Sequence, residues 1–394
     1  MTELLLSGIT VVSVEQAVAA PFATRQLADL GARVIKVERP EGGDFARRYD
    51  TTVHGQSSYF VWLNRSKESV TLDLKSARGR DILEQLLAEA DVFVQNLGPG
   101  AAARLGLDAT SLAERYTSLI PCSISGYGSS GPWADRKAYD LIVQCQTGLV
   151  SLTGTGRDAA RVGISIADIA AGMYAHAGIL TSLYARATTG VARAVEVSLL
   201  EALAEWMSQP AYYTRYGGTQ PPRIGTQHAT IAPYGAYTAA DGKDVLFSVQ
   251  SEHEWVALCE QFLERPNLVT DPRFATGPGR VAHRDELNMI VSERFRRSDS
   301  RQVMELLDQA GIANAGVNDI EGFLAHPVLS ARNRWRQVQI PGGVMSALLP
   351  PVDLHGTSPR MDAVPSTGEH TDKILAELGY DAAGIDALRA DGVI

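Results

Sequence analysis

The stretch "ITVVSVEQAVAAPFATRQLADLGARVIKVE" (9–38) changes its hydrophobic pattern twice. Residues 9–14 form a short β-branched run and read as a strand. Residues 21–31 read as a helix, with a proline where no amide hydrogen is needed and a glycine at the end. Residues 33–38 return to the strand pattern. The alternation continues with a helix at 76–90 ("SARGRDILEQLLAEA") and strands at 91–96 ("DVFVQN") and 118–128 ("SLIPCSISGYG"). Strands separated by helices predict an α/β fold with a parallel sheet and crossover helices. Ligands of such sheets sit at the carboxyl ends of the strands. "EQAVAAP", "ERPEGGD" and "QNLGPG" each follow a strand end, and one crevice is expected to gather them.

Composition narrows the function classes. The 394 residues exceed one ordinary core, so two or more domains are expected. Apolar residues make up 45%, charged 21% and aromatic 7%, the balance of a soluble globular chain. The net charge of −9 argues against general binding to nucleic acid or an anionic membrane, so any anionic ligand needs local cations. Three scattered cysteines (Cys122, Cys145, Cys259) make neither a disulfide framework nor a zinc site, and the eight histidines lack metal-ligand spacing. The N-terminus lacks the basic start of a signal peptide and carries Glu3. The run 169–185 falls short of the ~20 residues of a membrane span and reads as a buried helix. A cytoplasmic protein is expected.

Residues 164–206 read as two helical stretches joined by "TTGVARAVEVSL" (188–199). The "GGTQPP" region is loop-rich, and "YGAYTAADGKDVLFSV" (234–249) reads as a hairpin turning at Asp241–Gly242. The expected organisation is a large domain over 1–205, a linker over 206–224, a small α/β domain over 225–320, and a return to the large domain over 321–394.

Several motifs carry chemistry. "GYGSSG" (126–131) has dinucleotide-loop spacing, but "PWADRKAYD" follows where the phosphate-binding helix should open, so it reads as a glycine-rich loop. "NLGPGAAARLG" (96–106) is either an anion-binding turn supplemented by Arg104 or a plain strand-to-helix turn. Arg39 and Lys75 follow strand ends and would suit an anionic ligand if they converged. Asp168 is the one acid in "VGISIADIAAGMYAHAGIL" (162–180). It reads as a helix N-cap, as a catalytic carboxylate, or as both, because a helix N-terminus stabilises an ionised acid. Tyr139, with Lys137 close by, reads as an aromatic at a domain edge.

Together these motifs resemble the class III CoA-transferases, whose divergent branch is α-methylacyl-CoA racemase. The resemblance runs through "LADLGARVIKVERPEGGD" (27–44), "NRSKESVTLDLKSARGR" (64–80), "ADVFVQNLGPGAAARLGL" (90–107), "ISGYGSSGPWADRKAYDLIVQCQTGLVSLTG" (124–154), "VGISIADIAAGMYA" (162–175), "PPRIGTQHATIAPYGAYTAADG" (221–242) and "GEHTDKILAELGY" (368–380). It implies a Rossmann-like large domain built from both chain ends, a smaller domain, and two subunits interlocked as a homodimer. It implies Asp168 as the catalytic nucleophile. It implies CoA contacts at Val18, Ala19, Arg39, Leu72, Lys75, Asn96, Leu97, Gly98 and Arg104, with Lys137 and Tyr139 near the thioester.

The implied reaction moves CoA between organic acids through aspartyl anhydride and aspartyl-CoA intermediates. CoA and acyl-CoA are then substrates, and no tightly bound cofactor, metal or ATP is expected. The partners expected are acyl-CoA, small carboxylic acids and a second copy of the chain, with no nucleic acid and no membrane. Two departures mark the sequence. Tyr139 stands where the racemase branch has its histidine, which favours transfer over racemisation. "RIGTQH" (223–228) replaces the tetraglycine loop of formyl-CoA transferase, leaving Gly225 and His228 as candidate substrate-loop residues, with a structural histidine as the alternative. The other readings are an acyl-CoA racemase and a non-catalytic acyl-CoA-binding protein.

Overall fold

The computed structural model describes residues 4–394. Its contacts divide the chain into two units: residues up to 149, 162–209 and 329–394, and residues 150–161 and 210–328.

The first unit is built on six strands: β1 (Thr10–Val14), β2 (Arg33–Glu38), β3 (Lys67–Thr71), β4 (Val92–Gln95), β5 (Ile120–Ser125) and β6 (Val195–Ser198). All pairs are parallel, in the order β3-β2-β1-β4-β5-β6. The chain steps outward from β1 to β3 and then returns to the other side of β1 at β4. The crossovers leave β1 and β4 in opposite senses, and a crevice opens between them at the strands' carboxyl ends.

Both faces of the strands carry buried apolar residues because helices cover both. Val11, Val34 and Cys122 pack against α1 (Ala19–Asp29). Val12, Ile35 and Phe93 pack against α2 (Ala77–Ala88) and against Ile374 and Leu388 of the C-terminal segment. On the first face, α3 (Asp140–Gln146), α4 (Ile166–Thr189) and α5 (Leu199–Trp206) contribute Val143, Ala167, Ala171 and Leu203.

Three features differ from the sequence reading. Residues 195–198 form the edge strand β6 rather than a link between helices. Val195-Glu196-Val197-Ser198 alternates apolar and polar, but four residues between two helical patterns are too short a run to signal a strand, and pairing with β5 supplies the reason. The helix expected over 169–185 spans 24 residues, long and apolar enough to cross a membrane by length and composition. It is buried on one face only, by Ala167, Ala171, Ala175 and Ile179, while Tyr184 is 72% exposed. Residues 335–348 form a hairpin, Trp335–Ile340 with Gly343–Leu348, that packs on Phe60 and Val61.

The second unit has a three-stranded antiparallel sheet in the order Asn314–Gly316, Asp244–Ser248, Tyr234–Thr238. The turn falls at Asp241–Gly242, where Gly242 has φ +78. Phe247, Trp255, Phe262 and Phe295 form the core. Residues 150–161, assigned from sequence to the first domain, fold here. Thr155 bridges Ile224, and the Gly225 N–H donates to the Gly154 carbonyl at 2.8 Å. Residues 210–217, read as linker, complete the helix Ser208–Gly217.

Candidate active site

The loops after β1 to β4 enclose a cavity of about 560 Å³. Gln16 lines it after β1, Arg39 after β2, Leu72 and Lys75 after β3, and Leu97 after β4. The segments "EQAVAAP", "ERPEGGD" and "QNLGPG" therefore share one crevice at the strand-order reversal.

The crevice's interior acids are committed inside the protein. Glu15 accepts hydrogen bonds from Lys67 at 2.7 Å and from Thr24 at 2.6 Å. Asp44 pairs with Lys36 at 2.7 Å, and both side chains are fully buried. Burial disfavours ionised Glu38, yet hydrogen bonds from Arg47 and the charge of Lys36 outweigh it and hold the carboxyl at about 2. Glu41 and Asp73 reach the rim. Among the described residues, neither Arg39 nor Lys75 has a carboxylate partner; Arg39 only donates to the Gly43 carbonyl, at 3.1 Å. These are the local cations that an acidic chain needs for an anionic ligand.

Asp168 is the third residue of α4, so it is not the N-cap; Ser165 holds that place without a side-chain cap bond. The capping is done by another helix. Asp140, in the first turn of α3, accepts the Ala167 N–H on Oδ1 at 2.7 Å and the Asp168 N–H at 3.4 Å. Its Oδ2 accepts from Gln144 at 2.7 Å, and Gln144 in turn accepts the Val162 N–H at 3.0 Å. The start of α4 is thus anchored by two side chains of α3.

No described residue donates a hydrogen bond to the Asp168 carboxylate. Burial, with the like charge of Asp140 added, pushes its carboxyl up to about 7. A carboxylate shifted in this way is a stronger base than an exposed one.

Gly172, one turn further along α4, explains why Asp168 lies where it does. A Cβ at Gly172 would stand 2.6 Å from the Ala19 carbonyl. The close approach brings this face of α4, which Asp168 shares, onto the beginning of α1, where Val18 and Ala19 are buried. Tyr49 lies within electrostatic reach of both Asp168 and the crevice residue Asp44. Burial and the charges of Asp44 and Asp168, with Tyr139 and Tyr59 also facing it, push its hydroxyl up to about 12. Tyr139 is 65% exposed, and Lys137 is exposed beside it.

The remaining predicted residues divide. Asn96 turns its side chain onto the Gln16 backbone, Gly98 is exposed, and Arg104 ends the short helix Ala101–Arg104. Gly225 and His228 belong to the second unit. There Gly225 takes φ +65, and the His228 ring stacks on Tyr234 at 5.1 Å. No group of three or more His, Cys, Asp or Glu among the described residues could hold a metal ion. Sequence reasoning does not single out Asp140, Gln144 or Tyr49. An acid opening a helix, as Asp140 does, signals a cap for its own helix and not for one that begins at Ile166.

Comparison with known proteins identifies the arrangement. Residues 6–371 match CoA-transferase family III. The chain is 32% identical to a succinyl-CoA:glutarate CoA-transferase of Homo sapiens, over 99% of this chain and 90% of that protein. It is 34% identical to an acetyl-CoA:oxalate CoA-transferase of Acetobacter aceti, over 83% of this chain and 84% of that protein. A crystal structure of a CAIB/BAIF family protein from Brucella suis superposes with a TM-score of 0.84 at 32% identity, covering 96% of this chain and all of the other.

Proposed function

The chain belongs to CoA-transferase family III, and from that premise we propose that it exchanges CoA between carboxylic acids through covalent intermediates on Asp168. The desolvated carboxylate of Asp168, in the first turn of α4, is the observation that carries this reading. An Asp168 oxygen attacks the thioester carbon; the C–S bond breaks, CoA leaves as thiolate, and a mixed anhydride forms. The thiolate then attacks the aspartyl carbonyl, releasing the first acid as carboxylate and leaving Asp168 as a CoA thioester. An incoming carboxylate attacks that thioester, expelling thiolate and forming a second anhydride. Thiolate attack on the new acyl carbonyl yields the new acyl-CoA and restores Asp168. Each step transfers an acyl group between nucleophiles of comparable leaving ability, so thioester energy is retained.

The crevice accommodates the CoA body, with Arg39 and Lys75 supplying charge for its phosphates. Val18, Ala19, Leu72, Leu97, Gly98 and Arg104 complete that contact surface, and Lys137 and Tyr139 flank the thioester. Small dicarboxylates are the acids to test first: the two named relatives act on glutarate and oxalate, and the exposed Arg136 and Lys137 have no carboxylate partner among the described residues. The active form is an interlocked homodimer. The second unit's segments interrupt the first unit's chain twice, and Met173, Tyr184 and Trp206 leave apolar surface open on α4 and α5. Light scattering should give about twice the 42.3 kDa chain mass.

The deciding experiment incubates the protein with succinyl-CoA and a panel of carboxylates, follows acyl-CoAs by mass spectrometry, and traps intermediates with hydroxylamine. New acyl-CoA together with a hydroxamate at Asp168 is expected. Exchange of the acyl α-hydrogen with deuterated water, without any acceptor, would instead establish racemase chemistry.

A further inference from the structure

At the end of β1 the backbone takes an unusual course. Ala17 has φ +58, a left-handed conformation that is strained for a residue with a Cβ. Side chains from beyond two other strands hold it there. Asn96, the first residue past β4, accepts the Gln16 N–H on Oδ1 at 2.8 Å and donates Nδ2 to the Gln16 carbonyl at 2.8 Å. Asp44, beyond β2, accepts the Ala17 N–H at 3.2 Å and is itself fixed by Lys36. The peptide groups on both sides of Gln16 are therefore pinned.

The reason lies in the topology. The β1–β4 ladder ends at Val14 opposite Gln95, because the two connections then leave in opposite senses. Backbone rungs cannot continue across the opening. A carboxamide offers one acceptor and one donor at nearly backbone spacing, so Asn96 adds a further rung from a side chain. Gln16 and Asp44 line the crevice, and Val18 and Ala19 follow directly at the start of α1.

We propose that Asn96 is a positioning residue for CoA transfer, a clamp that keeps the Gln16–Ala17 turn left-handed and so holds the β1 wall of the acyl-CoA crevice. The proposal rests on the CoA-transferase reading above. The Asn96 oxygen and nitrogen each bond the Gln16 backbone, and it is through Gln16 that its contribution to catalysis passes in this proposal.

The test compares wild type, Asn96→Ala, Asn96→Asp and the double variant Asn96→Ala/Ala17→Gly. For Asn96→Ala, KM for acyl-CoA should rise about tenfold, with kcat within about threefold and CoA affinity by calorimetry falling in step. Asn96→Asp keeps the acceptor but turns an anion towards the Gln16 carbonyl, so it should be impaired in the same way. Glycine occupies φ +58 without strain, so the double variant should recover most of the lost affinity. A double variant as weak as Asn96→Ala overturns the positioning role and points to direct ligand contact. Wild-type KM in both single variants overturns it as well. A wild-type protein that binds no CoA overturns the CoA-transferase reading and this proposal together, an outcome separate from the other two.

Discussion

At Asp168 a single residue meets two opposed demands. A nucleophilic carboxylate must be ionised, yet burial beside Asp140 favours the protonated form. Transfer should therefore rise with pH along a limb centred near 7, and Asp140→Asn should move that limb to lower pH by removing the like charge; pH–rate profiles of the two proteins check this. Asp168→Asn should reduce transfer by about 10³-fold or more while CoA binding by calorimetry is kept. It should also change stability in a way that fixes the sign of the shift. The unfolded chain releases the Asp168 proton near 4, whereas the folded chain keeps it up to about 7. Between these values the folded state binds more protons, so wild-type stability falls as pH rises, and the loss is complete above 7. The neutral amide of the Asp168→Asn variant carries no such loss. Urea midpoints of that variant should match wild type at about pH 4 and exceed it at about pH 8. If Arg39 binds CoA phosphate by charge as proposed, Arg39→Ala should weaken CoA binding about tenfold, less at high salt.

Among the elements, α4 sets the geometry, and two glycines on it separate catalysis from stability. Gly172 admits the Ala19 carbonyl, whereas a Cβ at Gly178 would meet only the Val195 side chain, at 2.7 Å. Gly172→Ala should push α4 off the start of α1, cost about 1–3 kcal/mol and lower kcat at least about tenfold. Gly178→Ala should shift the denaturation midpoint while leaving kcat within about twofold. Steady-state kinetics and urea titration of both variants test the contrast. At this scale the sequence is unevenly legible. The hairpin at 335–348 carries its own turn signal in Pro341–Gly342–Gly343, yet its flanks alternate weakly and read only as part of a return segment. Helix α4 is recognisable by composition, but its first turn and its single buried face depend on α1 and α3, which the sequence of α4 does not contain.

Across the first unit, a buried ionic group ties the sheet to the crevice. Glu15, on β1's exit, accepts from Lys67 at 2.7 Å and lies 3.6 Å from Lys36, and all three side chains are inaccessible to solvent. Lys36 keeps Asp44 at 2.7 Å, but Glu15→Gln would leave the buried Lys67 ammonium without its carboxylate, and a loss of about 3–5 kcal/mol is expected by chemical denaturation. No feature of "VSVEQ", "VIKVE" or "NRSKESV" announces this group, because isolated charges in strands ordinarily read as solvated. The alternating segments and the crevice at the strand-order reversal are legible in the sequence, since period and turn residues are local signals; Asp168 stands out as a lone acid in a small-residue helix, but that signal alone leaves a helix cap and a catalytic carboxylate both open. The rest depends on contacts between distant segments: Asp140 capping a helix that is not its own, Tyr49 facing Asp168, residues 150–161 folding with the second unit, and Asn96 closing on Gln16. Local chemistry determines which elements form and which residue types are available. Only packing decides which side chains are desolvated together, and desolvation beside Asp140 is what raises the Asp168 carboxyl above an ordinary aspartate.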